Sequence, residues 1–148
     1  MNYALFLDDD PNRIPGKLSW IELPLREWVF VRTYDEFVKT INERGIPDTC
    51  SYDHDLFQEH YAEYTIAHNP DSPTFGRIRY EIFEEKSGME CARFLANLCV
   101  ERKIPIPLYY IHTLNPIGRE NIRLIMEGAR KVLKRVLTTG QTDATLNS

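Results

Sequence analysis

Acidic and imidazole side chains recur at three places in the chain, each directly after a short apolar run: Asp8-Asp9-Asp10 after 3–7, Asp53-His54-Asp55 after 49–52, and His112-Thr113 after 108–111. Apolar runs of this length, bounded by turn-forming residues, read as buried strands. In an open parallel sheet the carboxyl ends of the strands share one edge, and ligands bind there. Gathering carboxylates at one edge raises their proton affinity, a cost that a bound cation or phosphate chemistry offsets.

Asp8 and Asp9, with Asp53 from a neighbouring strand, make an oxygen-rich pocket suited to a hard divalent cation, Mg2+ or Mn2+. Asp9 or Asp10 also has the simpler use of capping the turn that follows. His54 and His112 sit at strand ends on the same edge, where two imidazoles titrating near neutrality supply an acid and a base for phosphodiester cleavage. With Asp53 they form the expected catalytic set, whereas His60 and His68 read as ordinary residues. Beyond His112, the run Asn115-Pro116-Ile117-Gly118-Arg119 opens a helix. Free N–H groups at a helix start attract anions, Gly118 permits close approach, and Arg119 brings a two-pronged donor. Thr113, Asn115, Gly118 and Arg119, joined by Arg13 from the loop after the first strand, are the expected phosphate-binding residues. Plain helix capping by Asn115 is compatible with that role.

The elements that must position these groups alternate in type. The apolar run 3–7 suits a central parallel strand covered on both faces, and Pro11, Pro15 and Gly16 break it. A second strand over 28–32 leads to Thr33 and Glu36, a capping box opening a helix with Phe37, Val38 and Ile41 inward. Gly45 and Pro47 end that helix before the third strand at 48–52. Ser87 and Glu90 form a second capping box, and Cys91, Ala92, Leu95, Leu98 and Cys99 then recur at helical spacing. A fourth strand at 108–111 precedes a final helix with Pro116 in its first turn and Ile122, Ile125, Met126, Ala129, Leu133 and Val136 as its apolar stripe. Right-handed crossovers between alternating elements imply a doubly wound α/β parallel sheet, with four strands in the order 2-1-3-4. Residues 57–86 form a long aromatic insertion, a candidate lid. The single domain is expected over 1–137, with a flexible tail over 138–148.

At 148 residues the chain fits one domain with its own core. No apolar stretch approaches the roughly 20 residues of a membrane helix, and the first residues lack an export pattern, so a cytoplasmic location is expected. A net charge of −4 argues against extended DNA binding. The arginines and lysines crowding the last helix read as a solvated face. Cys50, Cys91 and Cys99 are odd in number and lack CxxC spacing, as expected of buried free thiols.

Several segments resemble the cyclic-phosphate-processing receiver-like domains: Leu5-Phe6-Leu7-Asp8-Asp9-Asp10, Val31-Arg32-Thr33-Tyr34-Asp35-Glu36-Phe37, Tyr52-Asp53-His54-Asp55-Leu56, Lys86-Ser87-Gly88-Met89-Glu90-Cys91-Ala92, and Ile111-His112-Thr113-Leu114-Asn115-Pro116-Ile117-Gly118-Arg119. The second Asp-containing segment and the last are the specific ones. The resemblance implies a receiver-type fold and processing of cyclic phosphates such as 2′,3′-cyclic RNA ends. It implies Asp8 and Asp9 as the metal-binding pair and Asp53 at the phosphoacceptor position of signalling receivers, with His54 and His112 as additions. The chain departs from signalling receivers in lacking a fifth strand ending in lysine. The expected function is a metal-dependent phosphodiesterase opening a cyclic phosphate on a small cyclic nucleotide or an RNA 3′ end. The alternatives are a phosphoacceptor or a module that sequesters a cyclic nucleotide without turnover.

Overall fold

The computed structural model describes residues 2–146, with side chains through residue 138. Four strands, β1 (Ala4–Leu7), β2 (Trp28–Val31), β3 (Thr49–Tyr52) and β4 (Leu108–Ile111), form one parallel sheet in the order β2-β1-β3-β4. The alternation of apolar runs and helical stripes thus gives the expected doubly wound α/β sheet, in the strand order that the resemblance to receiver-like domains implies. The two central strands, β1 and β3, are buried along their whole length.

The two faces of the sheet are covered differently. Leu5, Leu7, Cys50 and Tyr52 pack under three helices, α1 (Tyr34–Arg44), α3 (Gly88–Arg102) and α4 (Pro116–Leu146), which supply Phe37, Ile41, Leu95, Cys99, Ile122 and Met126. The opposite face carries Phe6, and an irregular segment between β1 and β2 covers it with Leu18 and Leu23. Right-handed crossovers explain the split, because β1 to β2 runs outward one way and the later connections run the other. Proline and glycine at positions 11, 15 and 16 keep that first connection from forming a helix longer than the 3-10 turn Pro15–Lys17.

Helix starts follow their caps. Thr33 accepts from the Glu36 amide, while Glu36 reaches back to the amide of Arg32 rather than that of Thr33. The Ser87 and Glu90 side chains complete the second capping box. Cys50, Cys91 and Cys99 are buried free thiols, and burial pushes Cys99 up to about 11 and Cys50 to about 12. The expected tail over 138–148 falls mainly on side chains outside the described residues; α4 itself continues to Leu146.

The insertion holds a helix, α2 (Gln58–Ala67), followed by a 3-10 turn at Tyr80–Ile82. The inward side of α2 carries His60 and Glu63, both 1% exposed. Glu63 is held by the Arg79 guanidinium at 3.0 Å. His60 accepts the Leu56 amide at Nδ1, which leaves Nε2 as donor to the Glu85 carbonyl, so the ring folds neutral. Burial holds His60 below the usual 6.5. A base whose folded value is depressed stabilises the fold fully above 6.5 and loses that contribution as pH falls towards the folded value. Urea unfolding at pH 7.5 and 5.5 should show lower stability at the acid pH, with a smaller drop in His60→Gln. An equal drop in the variant would remove His60 from the explanation.

Candidate functional site

Strand register decides which side chains meet at the carboxyl edge. Leu7 pairs with Tyr52, and Tyr52 with Ile111. The ladder continues one step further, from the Asp53 amide to the Leu7 carbonyl and from the His112 amide to the Tyr52 carbonyl. Asp8, Asp53 and His112 therefore stand level with one another. Because successive residues of an extended chain face opposite sides, all three share the face of Phe6, Ser51 and Tyr110. His54, one residue beyond Asp53, turns to the helical face.

Single ligand atoms of Asp8, Asp53 and His112 lie within 4.8 Å of one another, and all three residues are buried. Asp8 accepts the Asp10 amide at Oδ1 (2.9 Å) and the His112 Nε2–H at Oδ2 (2.9 Å). The other ring nitrogen of His112 meets the Ser51 hydroxyl at 2.7 Å, and the ring stacks on Phe6 with centroids 4.4 Å apart. Burial depresses His112 against the raising influence of Asp8, and a proton on Nε2 faces the Asp8 carboxylate while Nδ1 meets the Ser51 hydroxyl. Burial alone would raise Asp8, but the His112 and Asp10 donors and the nearby Arg13 charge hold it below the usual carboxylate range. Asp53 goes the other way. Its Oδ1 accepts the His54 amide at 2.8 Å, yet its buried Oδ2 has no hydrogen-bond partner. Desolvation, reinforced by the Asp8 charge, pushes it well above the carboxylate range.

A buried carboxylate oxygen without a donor is costly, and a hard cation is the partner such an oxygen suits. Asp8 and Asp53 thus fit a divalent cation, with the His112 Nε2–H orienting Asp8 from behind. Asp9 does not join them. As the next residue it points elsewhere, and its Oδ1 accepts the Tyr61 hydroxyl of α2 at 2.9 Å. Of the expected set Asp8, Asp9 and Asp53, the structure brings Asp8 and Asp53 together with His112, while Asp9 is held apart by Tyr61.

Beside the acidic pair lies a cavity of about 170 Å³ lined by Arg13, Asp53, Asp55, Tyr61, Tyr64, Thr113, Leu114 and Asn115. Three of the five expected phosphate contacts, Arg13, Thr113 and Asn115, line it. The other two do not. Gly118 lies against the His54 ring, where an added Cβ would come within 2.5 Å of it, so its missing side chain makes room for histidine rather than for phosphate. The Gly118 amide is taken by Asn115 Oδ1 at 3.0 Å, the plain helix cap. Arg119 spends an N–H on the Thr113 carbonyl at 2.7 Å. Of the neighbouring basic residues of α4, Arg123 and Arg130 pair with Glu120 and Glu127 on the same helix, a solvated face.

The two expected catalytic histidines are seated on opposite faces of the sheet, and neither lines the cavity. His54 is 1% exposed. Its Nδ1 meets Asp55 Oδ1 at 2.6 Å and its Nε2 meets the Tyr80 hydroxyl at 2.8 Å. Burial pushes the Tyr80 phenol up, which keeps its proton available to Nε2, and Asn121 donates to the same hydroxyl. The chain Asn121–Tyr80–His54 therefore ends by donating to Asp55, which also receives the Asn115 amide at 3.3 Å on each oxygen. Through Asp55 and Tyr80, His54 ties the insertion to the sheet.

Asp55, named in the Asp-His-Asp triplet, and Tyr61 and Tyr64, aromatic residues of the insertion, were given no individual role by the sequence, and Ser51 carried no signal of its own. A protein-family model described as the cyclic-phosphate processing receiver domain matches residues 3–128. No match was found among curated proteins or solved structures. That match spans the sheet, the acidic pair and the cavity, and the chain belongs to the cyclic-phosphate processing receiver domain family.

Proposed function

We propose that the chain is a divalent-cation-dependent phosphodiesterase that opens a cyclic phosphate, with Asp8 and Asp53 as cation ligands. The observation that carries this reading is the orphaned, buried Asp53 Oδ2 beside Asp8 at the mouth of a cavity that also presents an arginine. A bound Mg2+ or Mn2+ would neutralise charge developing on the phosphoryl oxygens. Arg13 and the Thr113 corner hold the phosphate, arginine because its fork matches two phosphate oxygens. Asp55, fixed by His54 and Asn115, accepts the proton of the attacking water as the new P–O bond forms, one ring P–O bond breaks, and the leaving ribose oxygen takes that proton back from Asp55. His112 orients Asp8.

The cavity is smaller than the roughly 300–1,000 Å³ of a site that engulfs a drug-sized ligand. It suits a phosphate and part of a ribose, with the base left outside near Tyr61 and Leu114. A 2′,3′-cyclic RNA end or a small cyclic nucleotide meets that description equally. Phosphorus NMR of a panel of cyclic nucleotides and cyclic-phosphate-ended RNA, with Mg2+ present or chelated, tests the proposal. Conversion of a cyclic to a monoester resonance that stops on chelation is expected. Binding without conversion would favour the sequestering module.

A further inference from the structure

Arg13 stands where a cation would stand. Its Nη1 lies 3.6 Å from Asp8 Oδ2 and 3.6 Å from Asp53 Oδ2, and its Nε lies 3.9 Å from Asp10 Oδ2. These are ion-pair distances beyond hydrogen-bond length. The guanidinium thus neutralises the two buried carboxylates without closing on either, and the Asp53 oxygen it approaches is the orphaned one. The acids are fixed, their side chains 1% and 2% exposed, whereas that of Arg13 is 26% exposed. Arg13 belongs to no helix or strand, and its amide closes a turn onto the Asp10 carbonyl. On its open side lie the Trp20 ring, at 5.9 Å, and the cavity with Thr113 and Asn115.

We infer that Arg13 is a built-in surrogate cation that couples two ligands: a divalent cation entering between Asp8 and Asp53 displaces the guanidinium into the cavity, where it holds the phosphate. This inference rests on the proposed cation site. Two positive charges at one carboxylate pair repel strongly in a buried setting, so the cation and the guanidinium in its present place exclude one another. Once displaced, Arg13 lacks a counter-charge until an anion enters. Cation and anion therefore tighten each other's binding, and by linkage the factor is the same in both directions. A fixed phosphate contact would behave differently, since removing it would weaken the anion and leave the cation untouched.

The test is calorimetric titration of Mg2+ into the full chain, with and without inorganic phosphate, for wild type, Arg13→Gln and Arg13→Lys, with tryptophan fluorescence as a second readout of the Arg13–Trp20 contact. Arg13→Gln should bind Mg2+ on the order of tenfold more tightly than wild type, within the usual span of such couplings. Phosphate should tighten Mg2+ in wild type several-fold more than in Arg13→Gln, which keeps only the direct attraction between cation and phosphate. Arg13→Lys keeps the charge and loses the fork, so it should hold near wild-type Mg2+ affinity and keep a phosphate effect, with phosphate itself bound more weakly. If Mg2+ binds wild type and Arg13→Gln equally, the inference is overturned and the cation site stands. Absence of Mg2+ binding in both overturns the two together. If Arg13→Gln does not fold, Arg13→Met decides, since it also removes the charge, and Mg2+ affinity equal to wild type there overturns the inference.

Discussion

Asp53→Asn should unfold at higher urea than the wild type while losing Mg2+ binding. The native carboxylate is 2% exposed, next to Asp8, and one of its oxygens has no donor. Its folded proton affinity is raised well above the ordinary carboxylate range by burial and by the Asp8 charge. The sign follows: a group with a raised folded value weakens the fold at neutral pH and ceases to do so as pH falls. An asparagine keeps an oxygen for the His54 amide and turns its NH2 towards Asp8. The gain should be about 1–3 kcal/mol, the cost of one buried unsatisfied polar group. A destabilised Asp53→Asn, or one that binds Mg2+ as tightly as wild type, would count against the cation assignment.

Gly88→Ala should be among the most damaging single changes in the chain. A Cβ there would lie 1.8 Å from the Asp53 carbonyl oxygen and 2.9 Å from the His54 Cα, both backbone atoms that cannot rotate away. The Gly88 amide donates to the His54 carbonyl at 2.8 Å, so α3 begins against the peptide that carries the site. Alanine would gain about 1 kcal/mol of helix propensity. Against that, overpacking against backbone should cost about 3 kcal/mol and shift Asp53. Thermal unfolding and Mg2+ titration should both show the loss. A melting temperature within a degree of wild type would mean that α3 moves freely relative to β3.

Both effects turn on a distinction between sequence and structure that runs through the site. The four strands were legible because each is a short apolar run, alternation with helices made the sheet parallel, and the order 2-1-3-4 is the one expected of the receiver-type fold. Ser87 and Glu90 announced α3, and Asn115-Pro116 announced α4. By contrast α2 was hidden, since its inward residues include His60 and Glu63, which pack through specific polar partners rather than an apolar stripe. The acidic edge was readable as an address. Which side of the sheet each residue faced was not, because facing depends on pairing register between strands distant in sequence. That register set His112 level with Asp53 and sent His54 to the helices. The two histidines expected to act together are thereby seated apart, His112 against Asp8 and His54 against Asp55. Arg13 lies in a loop whose path no local pattern dictated, so its placement over the acids could only come from the folded chain.

In the proposed function, cyclic-phosphate opening depends on the Asp8 and Asp53 pair. The direct measurement is a phosphorus NMR time course of a 2′,3′-cyclic mononucleotide with Mg2+, comparing wild type with folded Asp53→Asn. Conversion to a monoester by the wild type, with the variant inert at the same concentration, is the predicted result. No conversion by the wild type, or conversion by Asp53→Asn at the same rate, would contradict it.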